Sequence, residues 1–277
     1  MDTKTGLLLL AVFAGVLAVP TPEYDRKFFE DQGTRIVGGT QSPTGSRPYV
    51  VALSTGLLVR SFLCGGSLIT PRSVLTAAHC IDAVYSRGSL TSTLRATVGT
   101  NRWNSGGTSY NLARNISHPN WVSSTYKNDL GILVTSSQVV LTNTVAVVPI
   151  TYDYIPGGVS SVVAGWGRIR NNGALSAALL EITLPTIDGE RCVTDVADAS
   201  VSFNIRAPAV EPHIELCVFH SANVGTCRGD SGSPLVRESD TQQIGIVSWG
   251  FPCARGAPDM FVRISGFKDW LESNIVY

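Results

Sequence analysis

An all-β fold is predicted for the body of this chain by three observations. Short runs rich in β-branched residues recur along it, at Tyr49–Leu53, Ser67–Thr70, Gly131–Val134 and Ile244–Val247, each bounded by Gly, Pro, Ser or Asn. A helical stripe is convincing only at the C-terminal end, where Phe267, Trp270, Leu271 and Ile275 share one face. The 277 residues, 44% of them hydrophobic, suffice for a sizeable core without further domains. The formal net charge is zero, which gives no reason to expect nucleic acid or an anionic membrane surface as a partner.

Taken in order, residues 1–18 have the make-up of a secretory signal. Lys4 sits in a short polar start, an apolar run follows from Gly6 to Ala18, and Val16-Leu17-Ala18 supplies small residues for cleavage. The run is short for a membrane span and no other stretch is long and apolar enough, so a retained anchor is the lesser alternative. Residues 19–35 turn to Pro, Asp, Glu, Lys and Arg with little periodicity. Such a segment buries little and reads as a flexible, cleavable pro-peptide, leaving 36–277 as the globular part. The C-terminal stripe predicts a helix over about 265–277, with Ser265 as its cap and its apolar face in the core. The six cysteines, Cys64, Cys80, Cys192, Cys217, Cys227 and Cys253, suit a secreted chain, although spacing alone selects no pairing. No paired C-x-x-C or histidine cluster supports zinc, so no metal and no cofactor are expected.

The segment with the clearest chemistry runs from Gly225 to Leu235. It sets Ser231 directly after Asp230 and between Gly229 and Gly232. A serine hydroxyl is a weak nucleophile, so a reactive one needs a base and donors for a developing oxyanion. The two glycines let the backbone turn so that the Gly229 and Ser231 amides point the same way. The plain alternative is an inert surface turn. Of four histidines only His79 is embedded in a motif, Thr76-Ala77-Ala78-His79-Cys80, whereas His118, His213 and His220 read as ordinary turn or surface residues.

On Gly229-Asp230-Ser231-Gly232 and Thr76-Ala77-Ala78-His79-Cys80, the chain from Ile36 to its end resembles the chymotrypsin/trypsin family of serine endopeptidases. Ala164-Gly165-Trp166-Gly167 and Ser248-Trp249-Gly250 match further motifs in the family's order. The resemblance implies two packed six-stranded antiparallel β-barrels, at about 36–145 and 146–263, followed by the helix. It implies His79 as general base for Ser231 and Asp129 as the carboxylate that orients the imidazole. Asp82 and Asp153 are rival orienters without the strand context of Asn128-Asp129-Leu130-Gly131, in which Gly131 stands where the family more often has Ala. The Gly229 and Ser231 amides become the oxyanion donors. Ser248, Trp249 and Gly250 become the strand that pairs with substrate, with Ser248 also able to donate to Asp129. The implied disulfides are Cys64–Cys80, Cys192–Cys217 and Cys227–Cys253, the first tying down the histidine loop.

The same resemblance makes Arg35-Ile36-Val37-Gly38-Gly39 an activation site. Cleavage after Arg35 frees the Ile36 ammonium to pair with Asp230, and activity then falls at alkaline pH as that amine loses its proton. Gly225 falls at the base of the specificity pocket, where trypsin-like members carry Asp, and Gly250 keeps the entrance open. Asp259 falls on the adjacent wall, where Gly is usual. Gly at the base with Asp on the wall resembles the arthropod brachyurins, collagenolytic proteases that accept basic and apolar side chains. The other reading turns Asp259 away and leaves a chymotrypsin-like apolar slot. Arg228 reads as a rim arginine, Asn115-Ile116-Ser117 is the sole glycosylation sequon, and the loop from Asn101 to Asn111 lacks the acidic pair of calcium-binding members. The expected protein is a secreted monomer, digestive, with the gut lumen as one possible compartment. Its expected partners are protein or peptide substrates, an activator cutting after Arg35 (the enzyme itself among the candidates) and protein protease inhibitors. A regulatory cascade protease and a non-catalytic binding module are the alternatives.

Overall fold

The computed structural model describes residues 34–251 and 253–277; the expected signal and nearly all of the expected pro-peptide lie outside the described residues. In chain order the strands are β1 (Thr34–Val37), β2 (Thr40–Gln41), β3 (Val50–Thr55), β4 (Ser61–Leu68), β5 (Ser73–Thr76), β6 (Tyr85–Ser86), β7 (Ser89–Leu90), β8 (Arg95–Val98), β9 (Thr108–Ser117) and β10 (Gly131–Thr135). They continue with β11 (Ser160–Gly165), β12 (Leu180–Ile187), β13 (Glu215–Val218), β14 (Gly225–Cys227), β15 (Pro234–Arg237), β16 (Gln243–Gly250) and β17 (Asp259–Arg263). Helix α1 (Ala78–Asp82) follows β5, α2 (Gly189–Phe203) follows β12, and α3 (Lys268–Asn274) comes last.

Two antiparallel barrels result, as the resemblance implies. The first closes in the order β10-β5-β4-β3-β8-β9. The second runs β11-β15-β16-β17-β13-β12 and closes through β11 with β12, and β2 extends it from the outer edge of β12. Closure leaves no long strand edge unpaired. The strands read as they do because a small barrel buries side chains on more than one face. Every residue of β10 and β16 is buried, which is why these runs are nearly continuous in apolar or small residues. Leu53, Leu68, Leu75, Leu130 and Ile132 fill the first barrel, and Val163, Leu184, Leu216, Leu235 and Phe261 the second. Each such side chain contributes about 1.5–3 kcal/mol.

Three expectations are corrected. The run Ser67–Thr70 is not one strand: β4 stops at Leu68, and Thr70 Oγ1 accepts the Arg72 and Ser73 amides to build a turn around Pro71. The C-terminal helix opens as a 3-10 turn over Ile264–Phe267, with Ser265 inside it rather than capping it, and α3 has no side-chain cap. Phe267 and Leu271 of this segment do bury into the first barrel's core. Finally, the C-terminal stripe does not mark the only amphipathic helix among the described residues. Helix α2 spans 15 residues, its Asp188 side chain accepts the Glu190 amide at 3.0 Å, and Asn204 ends it in left-handed conformation. Cys192, Val196 and Ala199 form its buried face. Among the described residues no helix is long and apolar enough to cross a membrane.

Candidate active site

His79 lies in the single turn of α1, where the Cys64–Cys80 bond ties the next residue to β4. Its ring Nδ1 stands 2.7 Å from Asp129 Oδ2, and its backbone N–H donates to Asp129 Oδ1 at 2.9 Å. Asp129 is fully buried at the entry to β10, and the Ser248 hydroxyl donates to its Oδ2 at 2.7 Å. A carboxylate facing Nδ1 holds the proton there and leaves Nε2 as the basic nitrogen. The rival carboxylates are engaged elsewhere: Asp82 accepts the Trp121 indole N–H at 2.5 Å, and exposed Asp153 lies 3.9 Å from Arg237. His118 packs against Phe267 and Trp270, His213 is exposed beside Glu211, and His220 contacts Ser221.

Ser231 comes from the second half of the chain, in the loop joining β14 to β15, and is half-buried. Its carbonyl accepts the Gly65 amide of β4 at 2.8 Å, and the Gly232 amide donates to Val247 O of β16 at 2.9 Å. A Cβ on Gly232 would come within 2.3 Å of Thr76 Oγ1, so the serine loop presses on the end of β5 immediately ahead of His79. The two barrels thus bring Ser231, His79, Asp129 and Ser248 to one seam. Gly229 adopts φ +98°, a conformation that costs other residues strain. Among the described residues neither the Gly229 nor the Ser231 amide donates to a backbone carbonyl.

Asp230 is fully buried, and its carboxylate accepts the Gly167 amide at 2.9 Å and the Cys227 amide at 3.1 Å. Burial raises its carboxyl to about 8, against the Gly167 bond, and Asp259 adds to the rise. A Cβ on either Gly165 or Gly167 would lie 2.3 Å from this carboxylate, which explains why glycines alternate in Ala164-Gly165-Trp166-Gly167. Strand β1, carrying Arg35 and Ile36, runs antiparallel to β14 with Val37 opposite Gly225. The backbone of the expected activation site therefore lies beside the strand that leads to Asp230.

The pocket residues also converge. Asp259 is buried, its Oδ2 accepts the Thr226 amide at 2.6 Å, and a Cβ on Gly225 would sit 2.5 Å from that same oxygen. Its Oδ1 lies 3.2 Å from where a Gly250 Cβ would be. The carboxylate is thus turned toward Gly225 rather than away from it. Burial raises this carboxyl to about 6, opposed by its bonds to Thr226. Cys227–Cys253 bridges the strand carrying Gly225 to the facing loop, and Cys192–Cys217 pins α2 to β13. Cys64, His79 and Cys80 crowd their ligand atoms within 4.8 Å, but the two sulfurs are bonded to each other and offer no thiolate to a metal. Asn115 is half-buried within β9, opposite Leu133 of β10. Arg228 is half-buried, and its carbonyl accepts the Arg168 amide.

Three neighbours of the site escaped the sequence reading. The Tyr126 ring lies 5.3 Å from the His79 ring, and Lys127 pairs with Glu215 behind Trp249. Lys127 adjoins the Asp129 motif, which was a signal of proximity. Glu215 carried none, because Lys127 and Trp249 come from distant parts of the chain.

Comparison with known proteins adds a separate line of support. A family model described as Trypsin matches residues 36–271. A chymotrypsin-2 from Vespa crabro is 35% identical over 240 residues, covering 86% of this chain and 99% of that protein. A trypsin from Phaedon cochleariae is 30% identical over 267 residues, covering 95% and 96% respectively. A trypsin alpha-4 from Lucilia cuprina is 30% identical over 240 residues, covering 86% and 87%.

Proposed function

The chain belongs to the trypsin family of serine proteases, and from that premise we propose that it is a secreted digestive endopeptidase, made as a zymogen and activated by cleavage after Arg35. The observation that carries the catalytic part is the doubly engaged Asp129 carboxylate, which holds the His79 ring and the Ser248 hydroxyl while the Ser231 loop hydrogen-bonds Gly65 of β4 and Val247 of β16. In this reading Ser231 Oγ attacks the peptide carbonyl as His79 Nε2 takes its proton. The Gly229 and Ser231 amides hold the oxyanion, His79 returns the proton to the leaving amine, and water then hydrolyses the acyl-enzyme.

Activation is supported by the cost of the Asp230 site. A carboxyl raised to about 8 by burial is uncomfortable as an anion, and an Ile36 ammonium released beside it would relieve that cost. Autoactivation becomes feasible if the pocket takes arginine. Broad, brachyurin-like specificity is supported by the Asp259 carboxylate turned toward Gly225: ionised it can meet Lys or Arg, and protonated it tolerates an apolar side chain. The digestive role is supported by the composition of the expected pro-peptide, since residues 19–35 carry no cysteine.

The test uses protein cut at Arg35 by trypsin, with the trypsin then removed. Peptides differing only in Phe, Leu, Ala or Arg before the cut are assayed beside a Ser231→Ala variant. Cleavage after Phe, Leu and Arg is expected, with turnover lowered about a millionfold in the variant. Cleavage after Phe and Leu alone would make Asp259 idle, and a small loss in the variant would sink the catalytic assignment.

A further inference from the structure

The Asp129 turn and the substrate-pairing strand are joined twice. The first link is the Ser248 hydroxyl on Asp129. The second lies one residue further along the strand and two residues back along the turn. Lys127 Nζ donates to Glu215 Oε2 at 2.6 Å, and the Trp249 indole N–H donates to Glu215 Oε1 at 2.8 Å. The Glu211 amide also donates to Oε2, at 2.7 Å, and the Lys127 ammonium stands 5.5 Å from the Trp249 ring centroid. Lys127, Glu215 and Trp249 are all buried. The path Asp129, Lys127, Glu215, Trp249, Ser248 and back to Asp129 is therefore a closed circuit that crosses between the barrels.

The turn it crosses needs holding. Tyr126 and Asn128 flank Lys127 with φ of +54° and +57°, left-handed backbone that side-chain-bearing residues keep only when their surroundings impose it. On the other side, Trp249 packs with Cys192, Val196 and Met260 of its own half of the molecule, and that packing does not by itself fix its position relative to the Asp129 turn. A well-packed apolar pair would stabilise the same space at least as well as a buried ion pair. What the charged pair supplies is a fixed direction and distance, since the ammonium and the indole N–H are met by opposite oxygens of one carboxylate.

We propose that the buried Lys127–Glu215 pair is a positioning element for extended substrates, holding the Trp249 end of the substrate-pairing strand in register with the Asp129 turn. The proposal rests on the peptidase reading above. Neither residue touches the reacting atoms; both act through Trp249. A substrate with several residues before the cut uses that strand, whereas a single-residue ester does not, so loss of the pair is felt mainly by the former.

The experiment compares a four-residue peptide amide with a single-residue ester carrying the same side chain before the cut. It uses Arg35-cleaved protein, with rates expressed per site titrated by a phosphonylating serine reagent. The double variant Lys127→Met/Glu215→Gln leaves no lone buried charge and keeps an acceptor for Trp249. It is expected to lose roughly tenfold or more in kcat/KM on the peptide, chiefly through KM, and less than about threefold on the ester. Lys127→Arg, which preserves the pair, is expected to keep the wild-type ratio. Should the double variant not fold, Lys127→Gln, which retains a donor to Glu215 without the charge, provides the same comparison. An unchanged peptide-to-ester ratio, or equal losses on both substrates, would overturn the proposal. Failure of the wild-type protein to titrate would instead strike the peptidase reading.

Discussion

Asp259 is the side chain on which the proposed specificity turns. With glycine at 225, the space that a side chain at that position would fill is taken by the Asp259 carboxylate. That carboxylate is buried, and burial holds it protonated up to about pH 6. A cationic substrate needs the ionised form, while an apolar one does not. The ratio of kcat/KM for Arg to that for Phe is therefore expected to be level above about pH 7 and to fall as pH drops through 6, since this parameter reports the free enzyme's ionisation. A flat ratio down to pH 5 would remove Asp259 from substrate recognition. At this scale the sequence was most legible where one motif holds both residue and neighbour. Ala77-Ala78-His79-Cys80 and Asn128-Asp129 were picked out through the family resemblance, and the His79 and Asp129 side chains meet. The orientation of Asp259 stayed open between two readings, because it depends on the Thr226 amide, which no pattern in the sequence announces.

Among the elements, α2 is the clearest case of a structure hidden by composition. Its segment, Gly189–Phe203, is rich in Val, Thr, Ser and Asp, which are weak helix formers, and its apolar stripe is narrow. Tertiary contacts supply the rest: Cys192 is bonded to Cys217, and Val196 and Ala199 pack with Trp249 and Met260. The signals that were present lay at its ends, in Asp188 as cap and Asn204 as left-handed stop. Asp188→Ala is expected to cost about 1 kcal/mol, read as a lowered midpoint of urea unfolding with an unchanged slope. A midpoint equal to wild type would mean that packing alone fixes the helix start. The Ser67–Thr70 run failed as a strand for a comparable reason. Its apolar residues continue past Leu68, but Thr70 and Pro71 form a turn whose hydrogen bonds outweigh the local β propensity.

For the whole molecule, the proposed mechanism divides the chemistry between the two barrels. In it the first contributes the base and its orienting carboxylate, and the second contributes the nucleophile, the oxyanion amides and the pocket. On that proposal neither barrel holds a working site alone, and the seam between them is the functional unit. Its order was legible because the motifs occur in sequence. Its cross-links through Lys127, Glu215 and Gly65 were not, because they join segments far apart in the chain. In the proposed activation buried Asp230 would make the seam conditional: burial raises its carboxyl to about 8, and the Ile36 ammonium would favour the anion and set the Gly229–Ser231 amides. The most direct measurement is mass mapping after treatment with a phosphonylating serine reagent, on protein before and after cutting at Arg35. The account predicts one adduct, on Ser231, formed at least about a hundredfold faster in the cut protein, on the scale by which a single oxyanion donor alters rate. An adduct on Ser233 or another serine, or equal labelling before and after the cut, would contradict it.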